Sequence, residues 1–270
     1  MSRPKFSKLN ELLKKWPSGV VATMHWFAKY GIYKQLVKKY CDSGWINKVG
    51  QGAYTKIGDS VHWQGGLHAL QEELQIPVHI GGTTALEFSG FSHFIPAASK
   101  RQIFLFYSNS YKKKLPLWFA NYFVQEVDFI SVQHQLFNMD NGIGIQKKEW
   151  SGIILNISEP ERAILEVLEL VPQQESYSHA NYLMQGLQML RPALIQKLME
   201  KCTSIKVKRL FMHLAEKNNL PCLEHIDLSL INFGKGKRMI EKGGVFDSKY
   251  NLSVPKIINE EFNEDESGDV

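Results

Sequence analysis

Lys34, Gln35, Lys38 and Lys39 recur at i, i+1, i+4 and i+5, a spacing that gathers side chains on one side of a helix at 100° per residue. Ammonium groups bind phosphate, and a glutamine amide matches the donor and acceptor edge of an adenine. The set therefore suits a helix laid in the major groove of duplex DNA. Just downstream, Lys48, Gln51 and Lys56 bracket the turn Gly50-Gln51-Gly52 between two β-prone runs and offer the contacts of a hairpin lying along the backbone. A second, weaker basic set, Lys206, Lys208, Arg209, Lys235, Lys237 and Arg238, offers another polyanion contact. A solvated turn and the outer face of an amphipathic helix account for the same residues.

Groups able to do catalysis are scattered. Gly234-Lys235-Gly236-Lys237 lacks the spacing and the following Ser or Thr of a phosphate-binding loop. His62 with His68, and His213 with His225, do not have zinc-ligand spacing, and Cys202 has no nucleophile motif around it. Glu126 and Asp128 stand beside a strand as nuclease carboxylates would, but no lysine follows at suitable spacing. These patterns predict no enzyme, no metal and no cofactor.

The elements that would position the basic residues are legible from periodicity. Phe6, Leu9, Leu12 and Leu13 mark a helix over Lys5–Lys15 that stops at Trp16-Pro17-Ser18-Gly19. Thr23 is placed to cap a second helix to about Tyr30, with Met24, Phe27 and Ala28 inward. A third runs from Tyr33 to about Ser43, with Tyr33, Leu36, Val37, Tyr40 and Cys41 on its apolar side, and stops at Gly44. With the hairpin over 45–57, this order is a winged helix-turn-helix, whose third helix enters the groove.

The remainder reads as a mixed α+β domain. A helix over Leu67, Leu70 and Leu74 is followed by a strand at 77–80, a helix over 83–88, and strands at 103–107, 129–132, 143–147 and 153–155. Ser158-Glu159-Pro160-Glu161 has the form of a capping box, with Ser158 bonding the Glu161 amide and Glu161 reaching back. The helix it opens is followed by helices near 177–189, 192–202 and 205–217, then short strands at 244–246 and 252–254.

Charge divides the chain more sharply than its overall +5 suggests. Residues 1–60 carry 11 Lys and Arg against 3 Asp and Glu, a net of +8, and the other 210 carry −3. A basic head on a near-neutral body points to a polyanionic partner. Residues 259–270 hold six acidic residues and no basic one, the composition of a disordered tail. Hence the expected division is 1–60 as DNA-binding head, 61–258 as body and 259–270 as tail. No apolar run reaches the roughly 18–20 residues of a membrane helix. Met1 to Lys15 lacks the apolar centre of a secretory signal, and three distant cysteines make no disulfide framework. The chain reads as cytoplasmic.

The order of several short motifs resembles the AbiEi family. In the head these are Gly31-Ile32, Tyr40-Cys41-Asp42-Ser43-Gly44-Trp45-Ile46 and Gly50-Gln51-Gly52-Ala53-Tyr54. In the body they are Ile80-Gly81-Gly82-Thr83-Thr84-Ala85-Leu86-Glu87, Ser158-Glu159-Pro160-Glu161-Arg162-Ala163 and Ser204-Ile205-Lys206-Val207-Lys208-Arg209-Leu210-Phe211. Gly234 to Arg238, Lys249-Tyr250 and Val254-Pro255-Lys256 close the match. The resemblance implies a cytoplasmic antitoxin of a type IV toxin–antitoxin, or abortive infection, system used in phage defence. It implies a winged head that binds inverted repeats in the promoter of its own operon and represses it. It also implies a body that counters a co-expressed nucleotidyltransferase toxin without needing a stable complex. The family often has a small hydroxyl residue where Tyr33 opens the third helix here, so side-chain capping is not expected. Two other readings stay open: a DNA-binding regulator with no toxin partner, and a nuclease guided to nucleic acid by the head.

Overall fold

The computed structural model describes residues 5–91, 100–107, 111, 114–133, 135–138 and 142–256. The acidic segment 259–270 and the side chain of Phe6 lie outside the described residues.

The head begins with α1 (Lys5–Lys15), whose Leu9 and Leu12 are buried together with Trp16 just beyond it. Next come β1 (Ala22–Thr23), α2 (Met24–Lys29), α3 (Lys34–Asp42), β2 (Ile46–Gly50) and β3 (Ala53–Lys56). The three strands form an antiparallel sheet in the order β1-β3-β2. This is the winged helix-turn-helix. Its core is built on Phe27, against which Trp16 and Tyr54 pack edge-on at 5.4 and 5.5 Å between ring centroids. The Thr23 hydroxyl caps α2 by accepting from the Trp26 amide at 3.3 Å. The buried sector of α2 centres on Phe27 and Trp26, which leaves Ala28 exposed and corrects its inward assignment. On α3, Val37 and Tyr40 are buried and Leu36 and Cys41 half-buried. Tyr33 sits before the helix in extended backbone, off the helical wheel, and is 72% exposed.

The body starts with α4 (Trp63–His68), which continues directly into a π-helical turn, Ala69–Glu73. Then follow β4 (Val78–Ile80), α5 (Gly82–Phe88), β5 (Gln102–Tyr107), α6 (Leu117–Tyr122), β6 (Asp128–Gln133), β7 (Ile145–Trp150) and β8 (Ile153–Ser158). The last five strands named form one mixed sheet, ordered β6-β5-β4-β8-β7, with β4/β8 and β5/β6 parallel. Both faces are covered. Ile103 and Leu105 of β5 point into the main core, while Phe104 and Phe106 meet Leu170 on the other side. That is why β5 reads as a continuous apolar run rather than an alternating one.

α7 (Pro160–Leu170) packs against β8 and α5; α8 (Tyr177–Gly186), α9 (Pro192–Lys201) and α10 (Ile205–Lys217) pack on α7, and β9 (Arg238–Met239), β10 (Val245–Asp247) and β11 (Leu252–Val254) make a small second sheet. The capping box at α7 does not form. The helix starts one residue later than expected, with Glu159 at the cap position and Pro160, which needs no amide partner, first in the helix. Ser158 ends β8 and donates its hydroxyl to Glu166 at 2.9 Å, while Glu161 is taken by Arg191 through three hydrogen bonds.

Head and body meet closely. Val20, Val21 and Ala53 belong to the main core of the body. The Thr23 amide donates to the Glu73 carboxylate at 2.7 Å, and a Cβ added at Gly50 would lie 2.3 Å from Cβ of Trp118 on α6.

Candidate nucleic-acid interface

Lys34, Gln35, Lys38 and Lys39 are all exposed along the outer face of α3. None of the four makes an ion pair or side-chain hydrogen bond among the described residues. The face is fixed from behind, because Val37 and Tyr40 lock the opposite side into the head core. The far end of the helix is closed by Ser43, whose hydroxyl donates to the Lys39 carbonyl at 2.7 Å. The first turn holds no acidic residue, so the positive pole of the helix is unopposed, and Tyr33 projects beside it without a side-chain cap bond. A helix with its side chains is about 10–12 Å across, close to the roughly 12 Å width of a major groove.

The wing shares the work unevenly. Lys48 on β2 and Gln51 at the hairpin tip are exposed, and the close seating of Gly50 on Trp118 fixes the hairpin's position. Lys56 is a correction. Its ammonium donates to the Trp16 carbonyl at 3.0 Å and to Ser18, and pairs with Asp59 at 3.8 Å. It ties β3 to the end of α1 and is not a free wing cation. Lys8, Lys14, Lys15 and Lys29 are also exposed on the head. Only the summed charge of residues 1–60 signalled them.

The second basic set comes apart. Lys206 donates to the carbonyls of Glu169 and Val171 at 2.6 and 2.8 Å. Lys208 is 3% exposed and donates to the Asn232 carbonyl at 3.0 Å. Arg209, 4% exposed, donates to the carbonyls of Phe233, Gly234, Gly236 and Asn251. Burial lowers the pKa of both lysines. These three cations are internal clamps, which corrects both readings of them as surface charge. Lys235 and Lys237 remain exposed and Arg238 half-exposed. The Lys237 ammonium lies 4.7 Å from the Phe246 ring centroid.

The groups weighed for catalysis are occupied structurally. Glu126 accepts from the Trp63 amide at the start of α4 and meets His62 at 3.1 Å, and Asp128 pairs with Lys100 at 3.9 Å. Cys202 is buried, and burial pushes its thiol up to about 11. His213 bridges the Tyr177 hydroxyl at 2.9 Å and Asp247 at 2.6 Å, joining α8, α10 and β10. Among the described residues, no three of His, Cys, Asp or Glu are grouped to hold a metal ion, and no helix is long and apolar enough to cross a membrane.

One cluster escaped the sequence reading, although two of the quoted motifs lead into it. Glu166, 1% exposed, receives His79 Nε2 and Arg162 Nε at 2.8 Å, the Ser158 hydroxyl at 2.9 Å and the Gly82 amide at 3.1 Å. Burial pushes its carboxyl up, but His79 and Arg162 outweigh that and hold it below the ordinary value. No local signal marked Glu166, which stands about 200° round the helix from Ile164, beside Arg162 and Glu169.

A family model for the type IV toxin–antitoxin AbiEi antitoxin, a transcriptional regulator, matches residues 100–255, and the model for the AbiEi antitoxin N-terminal domain matches residues 5–97. In three dimensions the chain is similar to the crystal structure of the RV2827C protein from Mycobacterium tuberculosis. The TM-score is 0.56 at 12% identity, over 93% of this chain and 92% of that one. At that identity the likeness speaks for a shared fold alone. No curated protein matches the sequence.

Proposed function

The chain belongs to the AbiEi family of type IV antitoxin transcriptional regulators, and from that membership we propose that it represses its own operon through the winged head and counteracts a nucleotidyltransferase toxin through the body. One observation carries the DNA-binding half: an open row of Lys34, Gln35, Lys38 and Lys39 on the third helix of a winged helix, with no intramolecular anion among the described residues holding it. Lys34, Lys38 and Lys39 bind phosphates along the groove walls, Gln35 reads one base pair, and Lys48 and Gln51 steady the wing on the backbone. The protein acts without catalysis, and the toxin is opposed without an obligatory stable complex, as in the family.

The test is a salt titration. The full chain binds duplex from its own promoter and random duplex, each over a range of salt concentrations. Replacing Lys34 and Lys38 with Ala is expected to weaken both and to flatten the log–log salt slope by about 1.8, or roughly 0.9 per phosphate contact. Gln35→Ala is expected to cost about 1–3 kcal/mol of discrimination at one base pair. An unchanged slope in the double variant removes α3 from the interface.

A further inference from the structure

A cavity of about 270 Å³ opens between α7 and the face of the main sheet that carries Phe106, His79 and Asn156. These three sit on neighbouring strands. His79 is paired in register with Phe106, and the Ile80–Ile157 pairing brings Asn156 beside His79. The rings of His79 and Phe106 lie nearly parallel, 25° apart, with centroids 6.0 Å from each other, and stack on this face. Leu136 and Ile145 add apolar wall.

The polar groups divide into spent and unspent. Glu166 has four donors and asks for no more. His79 gives Nε2 to it, and its Nδ1 has no partner among the described residues. The Asn156 backbone is held on both sides by Gln71, but its side-chain amide, a donor next to an acceptor, has no hydrogen bond among the described residues. A half-open site with two aromatic rings, one unpartnered ring nitrogen and one donor–acceptor pair matches a planar heterocycle with hydrogen-bonding edges. The volume is at the lower end of ligand pockets, about 300–1,000 Å³, so one ring system with a small substituent fills it. The one guanidinium in the wall, Arg162, is already engaged by the Glu166 carboxylate at 2.8 Å, which disfavours a phosphate.

We propose that this cavity is a binding site for an uncharged nucleobase or nucleoside. The site lies wholly in the body and goes beyond the DNA-binding and antitoxin functions.

The experiment is isothermal titration calorimetry of the full chain with the common bases, their nucleosides and their 5′-monophosphates. At least one base or nucleoside is expected to bind 1:1 with a Kd below roughly 1 mM, and its monophosphate more weakly. Comparing base with nucleoside shows which of the two the site takes. Asn156→Ala, which removes no side-chain bond among the described residues, is expected to keep the melting temperature and weaken binding about tenfold or more. Asn156→Ser, smaller in its change, is the second variant and is expected to weaken binding too. The proposal is overturned if no base or nucleoside binds in that range, if both variants bind as the wild type does, or if the monophosphate binds more tightly than its nucleoside.

Discussion

Arg209 shows how far the chemistry of one residue depends on what surrounds it. By type and position it reads as a surface cation on an amphipathic helix, yet four backbone carbonyls enclose its guanidinium. Lys34 and Lys38 carry the same charge and have no such enclosure. The consequence is opposite for mutation. Arg209→Met is expected to strand those carbonyls and cost about 3 kcal/mol of stability, read as a lower urea midpoint at unchanged m, while leaving the salt slope of DNA binding where it was. A flattened slope in a stable Arg209→Met chain would return this residue to the polyanion-binding set. Thr23 and Lys56 make the same contrast within the head. The Thr23 cap was legible because its bond reaches three residues along the chain, whereas the Lys56 bond to Trp16 spans forty.

At the scale of elements, the π-helical turn Ala69–Glu73 does two jobs two residues apart. Gln71 donates to the carbonyls of Val78 and Asn156 and accepts from the Asn156 amide, clamping β4 to β8. Glu73 accepts from the Thr23 amide and so holds the start of α2 against the body. Burial lifts the Glu73 carboxyl to about 7, with the Thr23 hydrogen bonds and Lys29 opposing the rise. The folded chain therefore keeps a proton that the unfolded chain loses above its ordinary carboxyl value of 4.5. Stability falls as pH rises from about 4.5 to about 7 and is then level, a loss on the order of 3 kcal/mol. Glu73→Gln still accepts from Thr23 but has no charge to desolvate, so it is expected to melt higher than wild type at pH 8 and to differ little at pH 5. Equal differences between the two chains at both pH values would rule the account out. The leucines at 67, 70 and 74 predicted a helix here. The widened turn was not legible, because what favours it is the pair of bonds to β8 and β1, made only after the strands are in place.

At the scale of the whole molecule, a basic head and a near-neutral body share core side chains across residue 60, yet the cations of α3 stay exposed. A division of labour between them predicts a separable loss. With the chain expressed from an independent promoter in cells carrying the toxin, the Lys34→Ala, Lys38→Ala double variant is expected to protect as wild type does. The same variant is expected to release a reporter driven by the native promoter. Loss of protection by a folded double variant would mean that repression, and not the body, explains the antitoxin effect.

The amino-acid sequence alone determined the winged head, its charge and most of the order of elements, though not β1, α6 or β9. Those depend on local periodicity, caps and turns, and on a sum over residues. The helices expected near 177, 192 and 205 begin at Tyr177, Pro192 and Ile205. Tertiary structure alone decided which cations are spent and which are open. It placed the four acceptors of Arg209 in the loop before β9 and the turn before β11, 24 to 42 residues further along, and it gathered His79, Asn156 and Glu166 from three elements around one cavity. Burial of a charge depends on partners that the fold brings together over such distances, and no local spacing encodes that meeting.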